Sequence, residues 1–229
     1  MLPRDAIIGV RTGAMPPLPA MAGMGLAGMA LVGTTVTLRR DQSLFLAGDA
    51  ASHVYRVMAG CVRSLALMPD GRRQVAEFHL PGDLLGLDGR EVHLLSAEAV
   101  GDAILLRFPR RQLEAEAVRD PAAARGLYDL ACRSLETAQR RLMVLGRKTA
   151  AERLASFLLE MAERTGGARR FDLPMSRQDI ADHLGLTIET VSRVFSQFRR
   201  QGLIALPTAQ RVELRDRDAV EAASGDCAA

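Results

Sequence analysis

The sequence predicts an α+β protein in three parts: an N-terminal antiparallel β-domain, one long helix, and a C-terminal pair of short helices with a hairpin. Three observations lead there. Short alternating apolar runs broken by glycine and aspartate occupy residues 35–108. One apolar line recurs in steps of three and four from Tyr128 to Leu145. Near the C-terminus, capping-type residues, a glycine and two short helical periodicities follow each other within residues 176–200.

Residues 12–38 carry no charge and follow Arg4 and Arg11, which raises the question of a signal peptide or membrane segment. Pro16, Pro17 and Pro19 break any helix there and five glycines dilute the apolarity. Residues 1–34 are therefore expected to be a flexible leader, with no membrane association. Met15, Met21, Met24 and Met29 are consistent with a native start inside it. Gly23 to Gly28 fits the dinucleotide fingerprint GxGxxG, which requires a strand before it and a helix after it. A proline-rich stretch precedes it and β-branched residues follow, so the match reflects composition.

Residues 35–118 are expected to form the β-domain. Its apolar runs are 44–46, 54–57, 62–67, 75–78 and 103–108, separated by Gly48-Asp49, Gly60, Asp70-Gly71, Gly82-Asp83 and Gly101-Asp102. Asp-Gly between alternating runs is a strong hairpin signal. Strands and turns at this spacing point to a small antiparallel barrel or jelly roll. His53, His79 and His93 fall among the strands without carboxylate or cysteine companions at ligand spacing, so no metal site is expected.

Asp120-Pro121 reads as a cap followed by proline at the first helical position. Residues 119–146 are then expected to be a dimerisation helix. Tyr128, Ala131, Leu135, Ala138, Leu142 and Leu145 form its seam, as in a coiled coil. Leu127, Leu130 and Met143 make a second line suited to packing on the β-domain. Gly146 is expected to end the helix as a hinge. A further amphipathic helix runs from Glu152 to Arg164, with Leu154, Phe157, Leu158 and Met161 inward, and Gly166-Gly167 closes it.

Residues 147–218 are expected to hold a winged helix-turn-helix, with 219–229 as a frayed tail. Ser176 can cap a first helix, with Asp179 completing the start signal. Gly185 can end it in the left-handed conformation, and Leu186 can plug the space before Thr187 caps a second helix. Val191, Val194 and Phe198 face inward, leaving Glu189, Thr190, Ser192, Arg193 and Ser196 outward. Arg donates two parallel bonds to guanine, a carboxylate accepts from the cytosine amino group, and serine does either. Glu189, Ser192 and Arg193 are thus a base-reading set at the start of a recognition helix. Arg177, Gln178, Thr187 and Thr190 lie near the two helix N-termini, where phosphates bind, and Arg199, Arg200 and Arg211 add positive charge. The alternative is an ordinary surface helix pair with Glu189 and Arg193 ion-paired at i,i+4. Two short runs around Pro207 form a hairpin after the second helix, the wing.

Composition bounds the rest. The 229 residues carry 25% charged residues and a net charge of only +3, as in a soluble globular protein. Lys148 is the one lysine against 29 arginines. Cys61, Cys132 and Cys227 lack metal-ligand spacing and suit a reducing cytoplasm. No nucleophile triad, carboxylate pair or phosphate loop survives its context, so no enzyme activity is expected.

The segment 173–193 resembles the DNA-binding domain of the Crp/Fnr superfamily, and the resemblance extends over about residues 36–216. Glu189, Ser192 and Arg193 are similar to the Fnr/FixK branch; the cyclic-AMP branch has Arg before that Glu and Gly in place of Ser192. The resemblance implies a cyclic-nucleotide-binding-like β-roll at the N-terminus. It also implies a cytoplasmic homodimer on a TTGAT-N4-ATCAA-like double-stranded palindrome, activation through RNA polymerase, and genes of microaerobic or anaerobic metabolism. Carried over, Glu189, Ser192 and Arg193 read bases while Arg177, Gln178, Thr187 and Thr190 touch backbone. Three cysteines cannot supply the four thiolates of an iron–sulfur cluster. At the superfamily's nucleotide pocket, residues 81–88 lack the expected Glu, and His93-Leu94 stands where an Arg-Ser pair grips the phosphate. No cofactor is therefore expected, and control resides largely in expression level. The alternative is a regulator of the same superfamily that senses haem, a nucleotide or a metabolite.

Overall fold

The computed structural model describes residues 9–11, 33–88 and 91–225. The chain divides into two compact units, one comprising Met1–Arg72 and Ala76–Ala138, the other Arg73–Val75 and Gln139–Ala229.

Among the described residues the N-terminal part of the chain carries nine strands: β1 (Gly9–Arg11), β2 (Thr34–Leu38), β3 (Ser43–Phe45), β4 (His53–Ala59), β5 (Val62–Leu67), β6 (Arg73–His79), β7 (Leu84–Leu85), β8 (Ser96–Ala99) and β9 (Ala103–Pro109). They form one sheet in the order β1-β2-β9-β4-β7 and another in the order β3-β8-β5-β6. Both faces of β4 find cover: Tyr55 and Val57 lie in the core between the sheets, whereas Val54 joins a second cluster with Leu106 and Phe108. Val36, Val57 and Leu105 from the first sheet share a core with Leu44, Val62 and Ala97 from the second. Asp70-Gly71 makes the expected hairpin. Gly71 sits at φ 85°, and the Arg72 N–H donates to the Asp70 carboxylate at 3.1 Å.

β8 has the sequence SAEA and no β-branched residue, so nothing in its composition announces a strand. Its alanines, Ala97 and Ala99, are fully buried, where small side chains suit the sheet-to-sheet spacing. The expected leader also carries a strand. β1 pairs antiparallel with β2, Val10 opposite Val36, because the free edge of β2 offers unpaired N–H and C=O groups to any extended segment. The other leader residues up to 32, and the GxGxxG match, lie outside the described residues.

Helix α1 (Arg110–Arg119) did not stand out in the sequence. It is charge-rich and buries only Leu113, too little to make a period. Leu113 joins Val54, Leu106, Phe108 and Ala123 in a second cluster on which Leu127 packs. Helix α2 (Pro121–Arg147) begins where Asp120-Pro121 predicts. It runs through Gly146, which does not adopt positive φ, so the expected break falls after Arg147 instead. Met143, expected to pack inward, is 68% exposed.

The second unit is built on α3 (Ala150–Arg164), whose Thr149 and Glu152 form a capping box. Leu154, Phe157, Leu158 and Met161 are buried as the period predicts. Gly166 and Gly167 close the helix at φ 90° and 73°, donating to the Glu163 and Ala162 carbonyls at 3.0 and 2.8 Å. Then come β10 (Arg170–Asp172), α4 (Arg177–Leu184), α5 (Ile188–Arg200), β11 (Ile204–Ala205) and β12 (Arg211–Leu214), with the sheet ordered β10-β12-β11. The expected frayed tail is instead helical over α6 (Arg217–Ala223), capped by the Asp216 carboxylate at 2.9 Å from the Ala219 N–H. One buried residue, Val220, makes no sequence period, yet α6 packs on α3, and Arg217 reaches Glu163 at 3.6 Å. Cys227 lies outside the described residues.

Candidate nucleic-acid interface

Local chemistry sets the two-helix geometry. Asp179 accepts from the Ser176 N–H and hydroxyl at 3.0 and 2.7 Å while its own N–H donates to Ser176 Oγ at 3.1 Å, a closed capping box at the start of α4. Gly185 takes φ 63°, ψ 40°, a left-handed conformation that a Cβ would strain. The Leu186 N–H returns to the Ala181 carbonyl at 3.0 Å; its side chain is half-buried. Thr187 accepts from the Thr190 N–H at 3.3 Å and so caps α5. Val191, Val194 and Phe198 are buried as expected, and Phe195 joins them.

The outward face of α5 holds the predicted readers. Glu189, Ser192 and Arg193 are all exposed. Among the described residues no ion pair joins Glu189 to Arg193. The Glu189 carboxylate folds back onto its own N–H and the Thr187 hydroxyl, which hold its carboxyl below the usual carboxylate range. Arg193 is left exposed to solvent, a donor fork with no acceptor among the described residues.

The predicted backbone contacts are more occupied. The Arg177 guanidinium lies over the Phe195 ring, 3.2 Å from its centroid, a cation–π arrangement. Burial there lowers its pKa to about 10, so it stays charged at neutral pH. Gln178 donates to Asp182 at 2.6 Å. The Thr187 and Thr190 hydroxyls lie 3.2 Å apart. Arg211 is bound in a fork–fork pair with Asp172, both bonds 2.8 Å, so its expected charge is neutralised locally. Arg199 and Arg200 are exposed at the end of α5, with no partner among the described residues.

Two features escape sequence reasoning. Ile188 is 37% exposed at the first turn of α5, apolar surface beside the polar readers; a hydrophobic residue out of period is its only signal. Arg153 donates to three backbone carbonyls, partners that no sequence pattern displays.

The seam of α2 is bare. Tyr128, Leu135 and Leu142 are 69%, 59% and 72% exposed, and Ala131 and Ala138 are exposed between them. Leu145 is half-buried and lies within 3.7 Å of the Cβ position at Gly185.

In the β-domain each histidine has a local partner. His53 bonds Ser52 at 2.9 Å and His79 bonds Ser64 at 2.8 Å. His93 stacks on Phe45 with centroids 3.6 Å apart and bonds Asp88 at 3.0 Å. The Asp88 carboxylate also takes the Leu94 and Leu95 N–H groups at 2.7 and 3.0 Å. Asp83 accepts from the Leu80 N–H at 2.7 Å. Among the described residues, no helix is long and apolar enough to cross a membrane.

Known proteins share this arrangement. Residues 35–120 match the cyclic nucleotide-binding domain and residues 152–223 the Crp-like helix-turn-helix domain. The nitrogen fixation regulation protein FixK of Azorhizobium caulinodans is 47% identical over 197 residues, covering 84% of this chain and 79% of that protein. FixK of Rhizobium meliloti is 41% identical, covering 86% and 90%. The structure of FixK2 from Bradyrhizobium japonicum superposes with a TM-score of 0.83 at 44% identity, covering 87% of this chain and all of that one. Identity at this level over this coverage places the chain in the Crp/Fnr family, as a transcription regulator of the FixK/Fnr type.

Proposed function

We propose that the protein is a cytoplasmic homodimer that binds a TTGAT-N4-ATCAA-like palindrome in double-stranded DNA and activates transcription by recruiting RNA polymerase. Its targets are genes of microaerobic or anaerobic metabolism; the FixK relatives are named as regulators of nitrogen fixation. The observation that carries the reading is the outward face of α5. There Glu189, Ser192 and Arg193 stand exposed on a capped helix with Arg193 unpaired among the described residues. Arg193 donates to guanine O6 and N7, Glu189 accepts from a cytosine amino group, and Ser192 completes the set. Ile188 meets a thymine methyl. Arg177, Gln178, Thr187 and Thr190 hold the backbone, with Arg199 and Arg200 adding charge. The function is binding, positioning and electrostatics, without catalysis.

The bare seam supports dimerisation. Burying a leucine side chain contributes about 1.5–3 kcal/mol, so Leu135 and Leu142, each taken from two protomers, supply a substantial driving force. The Asp88 carboxylate, already held by the Leu94 and Leu95 N–H groups, supports control without a small anionic ligand. Selection of bound sites from random duplex DNA by the purified protein tests the reading. Enrichment of a two-fold symmetric site with the stated half-sites is expected. Recovery of unrelated or asymmetric sequences, or a protein monomeric at working concentration, would sink it.

A further inference from the structure

Arg153 sits one turn into α3 and is half-buried. Each nitrogen of its guanidinium donates to a different backbone carbonyl. Nη2 reaches Leu145 at 2.8 Å, Nε reaches Lys148 at 2.9 Å, and Nη1 reaches Leu184 at 2.9 Å. No carboxylate pairs with it among the described residues. Leu145 lies in the last turn of α2, Lys148 in the link to α3, and Leu184 is the final residue of α4. Helix C-termini leave their last carbonyls unbonded and carry partial negative charge. One planar cation therefore joins two helix ends to a third helix. A guanidinium alone has donors spread in the rigid fork this needs; a lysine ammonium concentrates its donors at a single atom.

The turn that launches the recognition helix begins at the next residue, Gly185. A Cβ there would lie 3.6 Å from Arg153 Nη1 and 3.7 Å from the Leu145 side chain. The final seam residue, the guanidinium and the turn thus form one contact. We infer that Arg153 is a positioning residue that fixes the recognition helix against the last turn of the dimerisation helix, and so sets which half-site spacing the dimer accepts. It touches no base and leaves base identity to Glu189, Ser192 and Arg193. The inference rests on the dimer and palindrome reading proposed above.

The test is anisotropy binding of the full-length protein to palindromes whose spacer is lengthened or shortened by one base pair, alongside sites with a substituted half-site guanine. One base pair turns a half-site by about 34° and shifts it by about 3.4 Å. A rigid dimer then loses on the order of tenfold in affinity, comparable to one mismatched position. Arg153→Lys keeps the charge at the helix ends but not the three-way fork, and Arg153→Met removes both. For Arg153→Lys the spacer penalty is expected to fall to about threefold or less, because a point charge cannot hold the fork, while discrimination at the guanine stays at the wild-type value. A lysine variant that binds more weakly overall but keeps the full spacer penalty would reduce Arg153 to a stabilising residue and overturn the inference. Loss of guanine discrimination together with spacing would overturn it too. A wild-type protein with no preferred spacing would instead defeat the dimer reading, and the inference with it.

Discussion

The wing and the recognition helix are both rich in arginine, yet they hold it in opposite states. On the wing sheet, Arg211 is locked to Asp172 by two 2.8 Å bonds, and Arg170 pairs with Glu213 at 3.1 Å. Glu213 also lies 3.6 Å from Arg215. The exposed face of that sheet is a ladder of cross-strand ion pairs, with Arg170 opposite Glu213 and Asp172 opposite Arg211. On α5, by contrast, Arg193, Arg199 and Arg200 have no partner among the described residues. Positive charge written in a sequence is therefore not the same as positive charge offered to a ligand. An arginine already paired offers a phosphate a charge that its carboxylate has largely cancelled, although some of its five N–H donors remain open; an unpaired one gives up only water.

The largest consequence falls on the helix. Arg193→Ala should weaken operator binding by about 1–3 kcal/mol and relax specificity at one guanine. Competition of operator against scrambled DNA at fixed salt checks this. A variant that still discriminated as the wild type does would remove Arg193 from base reading and erase the contrast with the wing.

The two regions should also part in acid. His183, in α4, packs against Phe157 of α3 with ring centroids 5.6 Å apart. Burial, reinforced by the charge of Arg141, lowers its pKa from 6.5 to about 3. The unfolded chain therefore takes up a proton below pH 6.5 that the folded chain refuses, and stability falls as pH drops from 6.5 toward 3. At pH 5 the loss is about 2 kcal/mol. On the wing, the Arg211 hydrogen bond depresses the Asp172 carboxyl. Its contribution is present at neutral pH and fades only as pH falls through the carboxylate range. Denaturant unfolding at pH 7 and pH 5 should show the early loss, and His183→Gln should remove most of it. An unchanged pH dependence in that variant would assign the loss elsewhere.

Arg177 lies between these extremes, charged but resting on the Phe195 ring. As a phosphate contact its removal should weaken binding to all sequences alike and lower the salt slope by about 0.9. Affinities measured at several salt concentrations, on operator and random duplex, decide it. A sequence-dependent loss would move Arg177 into the base-reading set.

What the sequence revealed follows the range of the forces involved. Ser176 with Asp179, Gly185 and Thr187 act over three or four residues, so the whole helix-turn-helix could be read in advance down to its caps. The apolar strands β4, β5, β6 and β9 and the buried face of α3 announced themselves by period. Strand β8 and helices α1 and α6 did not, because Ala97, Leu113 and Val220 are single buried side chains or small ones whose partners come from distant chain. The same limit hid the charge pattern. Nothing near Arg211 shows that Asp172, 39 residues away, will neutralise it, and the carbonyls that bind Arg153 could belong to any residue.

The smallest effect is expected on the wing. Arg211→Ala removes a fork–fork pair whose side chains are 52% and 60% exposed. Solvent screens so exposed a pair and leaves it little net contribution, so thermal stability should drop only slightly. Because its charge is already committed to Asp172, DNA affinity should change little and the salt slope not at all. Arg200→Ala, which removes a cation with no partner among the described residues, should lower the slope by about 0.9 if Arg200 meets one phosphate. Titrating both variants against the same operator across a salt series separates the cases. A fall in slope for Arg211→Ala matching that for Arg200→Ala would mean that DNA opens the Asp172 pair, and that the wing's charges are held in reserve rather than cancelled.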